Sequence, residues 1–123
     1  MAGEKNFENR VKNYLKKEGA WFLKTYSNGI QRSGVPDLLI GYRGRFIGME
    51  VKAKDGRFND ELQPLNIKEI NDSGNIAGVL IPAEGKERFR RYVAKHWPQY
   101  IDTPIYDFDD FKQLIEKIKS ESI

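Results

Sequence analysis

The sequence predicts an α/β domain, a mixed central sheet flanked by helices, and three observations carry that prediction. Amphipathic helical stripes stand towards both ends of the 123 residues, short aromatic and β-branched runs fill the middle, and turn residues punctuate the boundaries. The core reads helix, strand, strand, strand, helix, strand, followed by further helices, and a sheet in such a series buries its faces against the helices. At this length one domain covering 1–123 is the natural count.

The first helix follows from Phe7, Val11, Tyr14 and Leu15, spaced along one face and stopped by Gly19. Ala20 to Ser27 reads as an aromatic-rich strand, Asn28-Gly29 as a turn, and Ile30 to Gly34 as a polar connector. Two extended runs, Asp37 to Tyr42 and Arg45 to Lys52, fold back on each other around Arg43-Gly44, with glycine where a tight hairpin needs a positive φ. A helix is expected from Asn59 or Asp60 to Asn71, with Pro64 awkward near its start and Gly74 beyond its end. The apolar run Ile76 to Ile81 reads as a buried strand, and Ala83 to Trp97 as a basic helix stopped by Pro98. Pro98 to Pro104 is irregular, and Asp107 caps a last helix with Phe111, Leu114, Ile115 and Ile118 on one stripe.

Chemistry concentrates in the hairpin. If its loop is symmetric about Arg43-Gly44, Tyr42 faces Arg45, Ile40 faces Ile47, and Asp37 comes opposite Glu50. Alternation then places Asp37, Glu50 and Lys52 on one face of the sheet. Carboxylates directly across a sheet repel, and a divalent cation turns that repulsion into a binding site. Lys52 would orient or activate a metal-bound water, or neutralise a phosphate. The alternative is an ordinary hairpin in which Asp37 caps a strand and Glu50-Lys52 is a solvated pair. A loop longer by one residue would send Asp37 to the other face.

Asp37 after Gly34-Val35-Pro36, then Glu50-Val51-Lys52, then Gln63, resembles the PD-(D/E)xK nuclease superfamily, and within it the small stand-alone VRR-NUC domain. The resemblance runs from about Phe7 to Ile81, with 12 residues between the two carboxylates and Gln63 placed 11 positions after Lys52. It implies a restriction-endonuclease-like αβββαβ core. It also implies a Mg²⁺- or Mn²⁺-dependent endonuclease cutting phosphodiester bonds in branched DNA such as Holliday junctions, as a homodimer. Asp37, Glu50, Lys52 and Gln63 would be catalytic; Asp37, Glu50 and the Val51 carbonyl would hold metal, with Glu8 of the first helix as a further ligand. Two of these residues have plainer readings as well. Gln63 also fits a capping box with Asp60, and Glu8 also fits a helix-dipole acid. Two other functions stay open: a nucleic-acid-binding module without turnover, and a restriction-type enzyme cutting one short duplex sequence.

Composition bounds these options. The formal charge of +3 identifies no ligand, but residues 107–123 carry five acids against three lysines, so the remainder is about +5. Arg43, Arg45, Lys52, Lys54 and Arg57 gather around the hairpin, and Lys86, Arg88, Arg90, Arg91 and Lys95 form a second group; either suits a polyphosphate or a solvated surface. Lys24, Arg32 and Ser33 are further candidates for phosphate contact. Zero cysteines exclude disulfides and thiolate metal sites, and the single His96 excludes a two-histidine site. No apolar run reaches the roughly 20 residues of a membrane span, the first residues lack a signal-peptide core, and a cytoplasmic setting is expected.

Overall fold

A computed structural model describes residues 2–26 and 33–122. Among them, α1 (Ala2–Glu18) buries Phe7, Val11 and Leu15, the stripe its spacing defines. Next come β1 (Trp21–Lys24), β2 (Leu38–Tyr42), β3 (Arg45–Val51), α2 (Leu62–Asp72), β4 (Ile76–Leu80), α3 (Ala83–His96), β5 (Ile105–Tyr106) and α4 (Phe108–Glu121). The sheet runs in the order β1-β2-β3-β4-β5. The first three strands are antiparallel neighbours, and β4 and β5 run parallel to β3, so the sheet is mixed. This is the α/β architecture, with the αβββαβ series followed by added helices, that the sequence predicts. Among the described residues no helix is long and apolar enough to cross a membrane.

Alternation splits the sheet between two cores. Leu38, Ile40, Tyr42, Ile47, Met49 and Val51 face α1 and α4 and pack with Val11, Leu15, Phe111 and Ile115. On the other side Ala77, Val79 and Ile81 meet Ile67 of α2 and Phe89 and Val93 of α3. The second core also holds Phe58, whose ring meets Phe89 edge-on at 5.2 Å between centroids. The α3 aromatics are packing groups rather than an exposed stacking platform: Tyr92 touches Phe58 and Phe89, and the Trp97 Nε1 donates to the Tyr92 hydroxyl.

Several boundaries differ from the sequence reading. The first strand is four residues rather than Ala20 to Ser27, although the Thr25 N–H still reaches the Asp37 carbonyl at 2.8 Å. Ser27 lies outside the described residues. α2 begins at Leu62, not at Asn59 or Asp60, and Pro64 sits in its first turn, where a missing N–H removes no intrahelical bond. Asp60 accepts from the Leu62 N–H instead of forming a capping box with Gln63. A capping box does open α4, between Asp107 and Asp110. β5 lies where the sequence gives no strand signal, because two residues carry no periodicity.

Candidate active site

The turn at Arg43-Gly44 sets the register. Both residues have positive φ, 48° and 79°, the backbone of a two-residue type I′ turn whose twist matches the flanking strands. The ladder pairs Tyr42 with Arg45, Ile40 with Ile47 and Leu38 with Met49, as the symmetric loop requires. One step further, Asp37 comes level with Glu50. Since Leu38 and Met49 face the α1 core, Asp37, Glu50 and Lys52 are directed to the other side, towards α2. The Val51 N–H donates to Asp37 Oδ1 at 2.8 Å, which fixes that carboxylate against the end of β3. Val51 therefore meets the aspartate side chain through its amide.

Gln63 joins the remaining pieces. Its Nε2 donates to Glu50 Oε2 at 3.1 Å, and its Oε1 accepts from Lys52 Nζ at 3.1 Å and from the Asn59 N–H at 2.9 Å. Lys52 Nζ also stands 3.4 Å from Glu50 Oε2. Glu50, Lys52 and Gln63 are all buried, at 5, 7 and 8 % exposure, so the amide satisfies a charged pair with little access to water. Placement of α2 depends on Gly34, which has φ +80°; a Cβ there would come within 2.6 Å of the Leu62 backbone. Only glycine lets the chain before Asp37 pass so close to the residue preceding Gln63.

From the α1 side come Glu8 and Lys24. Glu8 is not a first-turn acid: α1 begins at Ala2, and the side chain is buried at 8 % exposure. Lys24 Nζ lies 2.6 Å from Glu8 Oε1 and 3.2 Å from Asp37 Oδ2, and Lys12 Nζ lies 3.0 Å from Glu8 Oε2.

Burial and mutual repulsion dominate the electrostatics. Burial, then the neighbouring Asp37 charge, pushes the Glu50 carboxyl up to about 7, and Lys52 offsets this only in part. Burial also raises Asp37, against the opposing pull of the Val51 N–H and Lys24. Burial would raise Glu8 too, but its bonds to Lys24 and Lys12 hold it below the usual carboxylate value. For Lys24, the contacts with Glu8 and Asp37 outweigh burial and raise its pKa.

No protein-family model matches this sequence, and no curated protein or solved structure matches it. Asp37 and Glu50 are hard oxygen donors held side by side with raised pKa values, a donor set that suits Mg²⁺ or Mn²⁺. Among the described residues, no group of three or more His, Cys, Asp or Glu side chains is assembled for a metal, and Glu8 is paired with Lys24.

The basic candidates disperse. Arg43 and Arg45 do not flank the acids: five steps along the strand, roughly 17 Å, separate Arg45 from Glu50. Arg43 donates to the Ser122 hydroxyl and Arg45 approaches Glu121, so both serve the end of α4. Lys54 and Arg57 are exposed in the segment after β3, on the side of the acids. That segment is tied to α3 by Arg88, which donates to the carbonyls of Lys54 and Gly56, and Arg57 lies over the Tyr92 ring. Ser33 is exposed while its carbonyl accepts from Asn66, and Arg32 lies outside the described residues. Lys86 of the second basic group pairs with Asp110. The sequence reading missed Asn59, whose contribution is a backbone N–H that no side-chain pattern signals. It also missed the pairing of Lys24 with the acids, although strand alternation places Lys24 on the α1 face beside Glu8.

Proposed function

We propose that this chain is a Mg²⁺- or Mn²⁺-dependent DNA endonuclease similar to stand-alone VRR-NUC domains, acting on branched DNA such as four-way junctions. One observation carries the reading: the hairpin register brings Asp37 level with Glu50, close enough for its charge to act on that carboxyl, with Lys52 and Gln63 buried beside Glu50 in a closed hydrogen-bond circuit. A structural ion pair needs no second carboxylate facing it, and the unfavourable pairing of two acids is what a dication relieves.

A metal held by Asp37 and Glu50 would lower the pKa of bound water and take up charge on the scissile phosphate. The protein's part is positional. Gln63 bonds both the Lys52 ammonium and the Glu50 carboxylate and so holds the lysine where it would orient the attacking water. Val51 holds Asp37 through its amide, and its carbonyl is a further ligand by resemblance alone. Hydrolysis in the manner of the resembled family leaves a 5′-phosphate, and a homodimer in the cytoplasm would make paired incisions across a junction.

The test is cleavage of duplex, nicked, flap and four-way DNA with Mg²⁺ or Mn²⁺, using Asp37→Ala and Lys52→Ala as controls. Metal-dependent cutting lost in both variants supports the reading. Cutting that survives Asp37→Ala overturns it, as does tight DNA binding with no cutting on any substrate, which marks a binding module. Cutting confined to one short duplex sequence would replace the junction by a restriction-type substrate.

A further inference from the structure

We infer that Lys24 is a built-in counter-cation for Glu8 and Asp37, and that its ammonium and a divalent metal exclude one another at the Asp37 carboxylate. The inference rests on the metal-dependent function proposed above and says what controls loading of that site.

Strand geometry, not a chance excursion of a long side chain, brings Lys24 there. In β1, Lys24 pairs with Leu38, so its side chain leaves the sheet on the α1 face, where Glu8 stands. It is also the last residue of β1, next to the Thr25 N–H that bonds the Asp37 carbonyl, so its ammonium reaches around the strand end to Asp37. Two of its three N–H donors thereby meet acids from separate elements, at 2.6 and 3.2 Å.

Charge counting sharpens the point. Glu8, Asp37 and Glu50 face Lys12, Lys24 and Lys52, three acids against three ammonium groups, so the cluster is already neutral when all six are ionised. A dication entering it leaves a surplus of two positive charges in a poorly hydrated place, a repulsion that falls when one ammonium departs. A metal at Asp37 would compete for the carboxylate lone pairs and stand beside the positive charge of Lys24, whose ammonium lies 3.2 Å from Oδ2.

Lys24 is the ammonium able to leave. Lys52 is almost wholly buried and bonded to Gln63, while Lys12 touches Glu8 from outside and does not reach Asp37. Lys24 has 22 % of its side chain open to solvent, a path to water or to a phosphate at the rim. Its withdrawal would also free Glu8 Oε1. Metal affinity is then the difference between two cations competing for the same oxygens, and removing one competitor raises the apparent affinity for the other.

The experiment is Mn²⁺ titration of the full chain by calorimetry, paired with thermal melts in EDTA and in Mn²⁺, for wild type, Lys24→Met, Lys24→Gln and Lys24→Arg. Expected are Mn²⁺ binding about tenfold or more tighter for Lys24→Met and Lys24→Gln, and near-wild-type affinity for Lys24→Arg. Both neutral variants should melt below wild type in EDTA and recover in Mn²⁺. Binding by the neutral variants when wild type shows none would support the inference strongly. Unchanged or weaker binding in Lys24→Gln, with wild type binding normally, overturns the inference alone. No Mn²⁺ binding by any of the four overturns the metal site itself and this inference with it.

Discussion

Two lysines reach the acidic cluster from opposite faces of the sheet, Lys52 at Glu50 and Lys24 at Glu8 and Asp37, and their surroundings differ. Lys52 is buried, bonded to Gln63 and 3.4 Å from Glu50, with a glutamine that satisfies both partners. Lys24 is partly open and holds two carboxylates, and among the described residues no amide keeps it in place. The first arrangement fixes a group in position; the second neutralises two carboxylates through a group with a path to solvent. Charge alone would make the two interchangeable, and only burial and hydrogen bonding tell them apart.

The comparison breaks first at Lys52. Lys52→Ala should lower metal-dependent cleavage by roughly 10²–10⁴-fold while Mn²⁺ affinity does not fall. Single-turnover cleavage with parallel calorimetry measures both, and a loss of affinity equal to the loss of rate would make Lys52 a structural partner only.

Next in size is the pH response of metal-free protein. The fold favours protonated Glu50, raised from 4.5 to about 7, so its contribution to stability is fully present below 4.5 and is lost as pH rises through about 7. Wild type in EDTA should lose up to about 3 kcal/mol across that window relative to Glu50→Gln, which cannot ionise. Urea titrations at pH 5, 6, 7 and 8 read the difference, and parallel curves for the two proteins would contradict it.

Gln63→Leu should follow, with cleavage down about 10–100-fold, the usual effect of removing a group that orients a ligand. Stability should fall by about 1–3 kcal/mol, because Glu50 and Lys52 each lose a buried partner. Retention of both activity and melting temperature would mean that the amide orients neither.

The smallest effect belongs to the far end of the hairpin. Arg43→Ala and Arg45→Ala remove exposed contacts with Ser122 and Glu121 and should each change stability by less than about 1 kcal/mol. Mn²⁺ affinity should not move in either variant. A marked loss of junction binding in either one would extend the DNA path the whole length of the ribbon.

The hairpin was legible because its period-two pattern and glycine turn determine which residues meet, and Asp37 against Glu50 follows from counting. Helix stripes in α1 and α4 were legible for the same reason at period 3.6. What escaped were relations that counting along one element cannot supply. Arg43 and Arg45 are near Lys52 in sequence, yet an extended strand carries them to its opposite end. Glu8 and Gln63 each allowed two readings, because their partners, Lys24 for Glu8 and Glu50 with Lys52 for Gln63, lie on other elements and leave no mark along the helix. The bond from Asn59 to Gln63 depends on backbone geometry between elements, and β5 is too short to leave a pattern.

The pair of positive-φ residues at Arg43-Gly44 touches none of the acids. Because side chains switch sides at every position, a single extra residue at that bend would rotate Glu50 and Lys52 into the layer now filled by leucine and isoleucine. The tip of the ribbon thus works as a ruler: its length, rather than any bond it makes, decides whether two distant acids ever become neighbours.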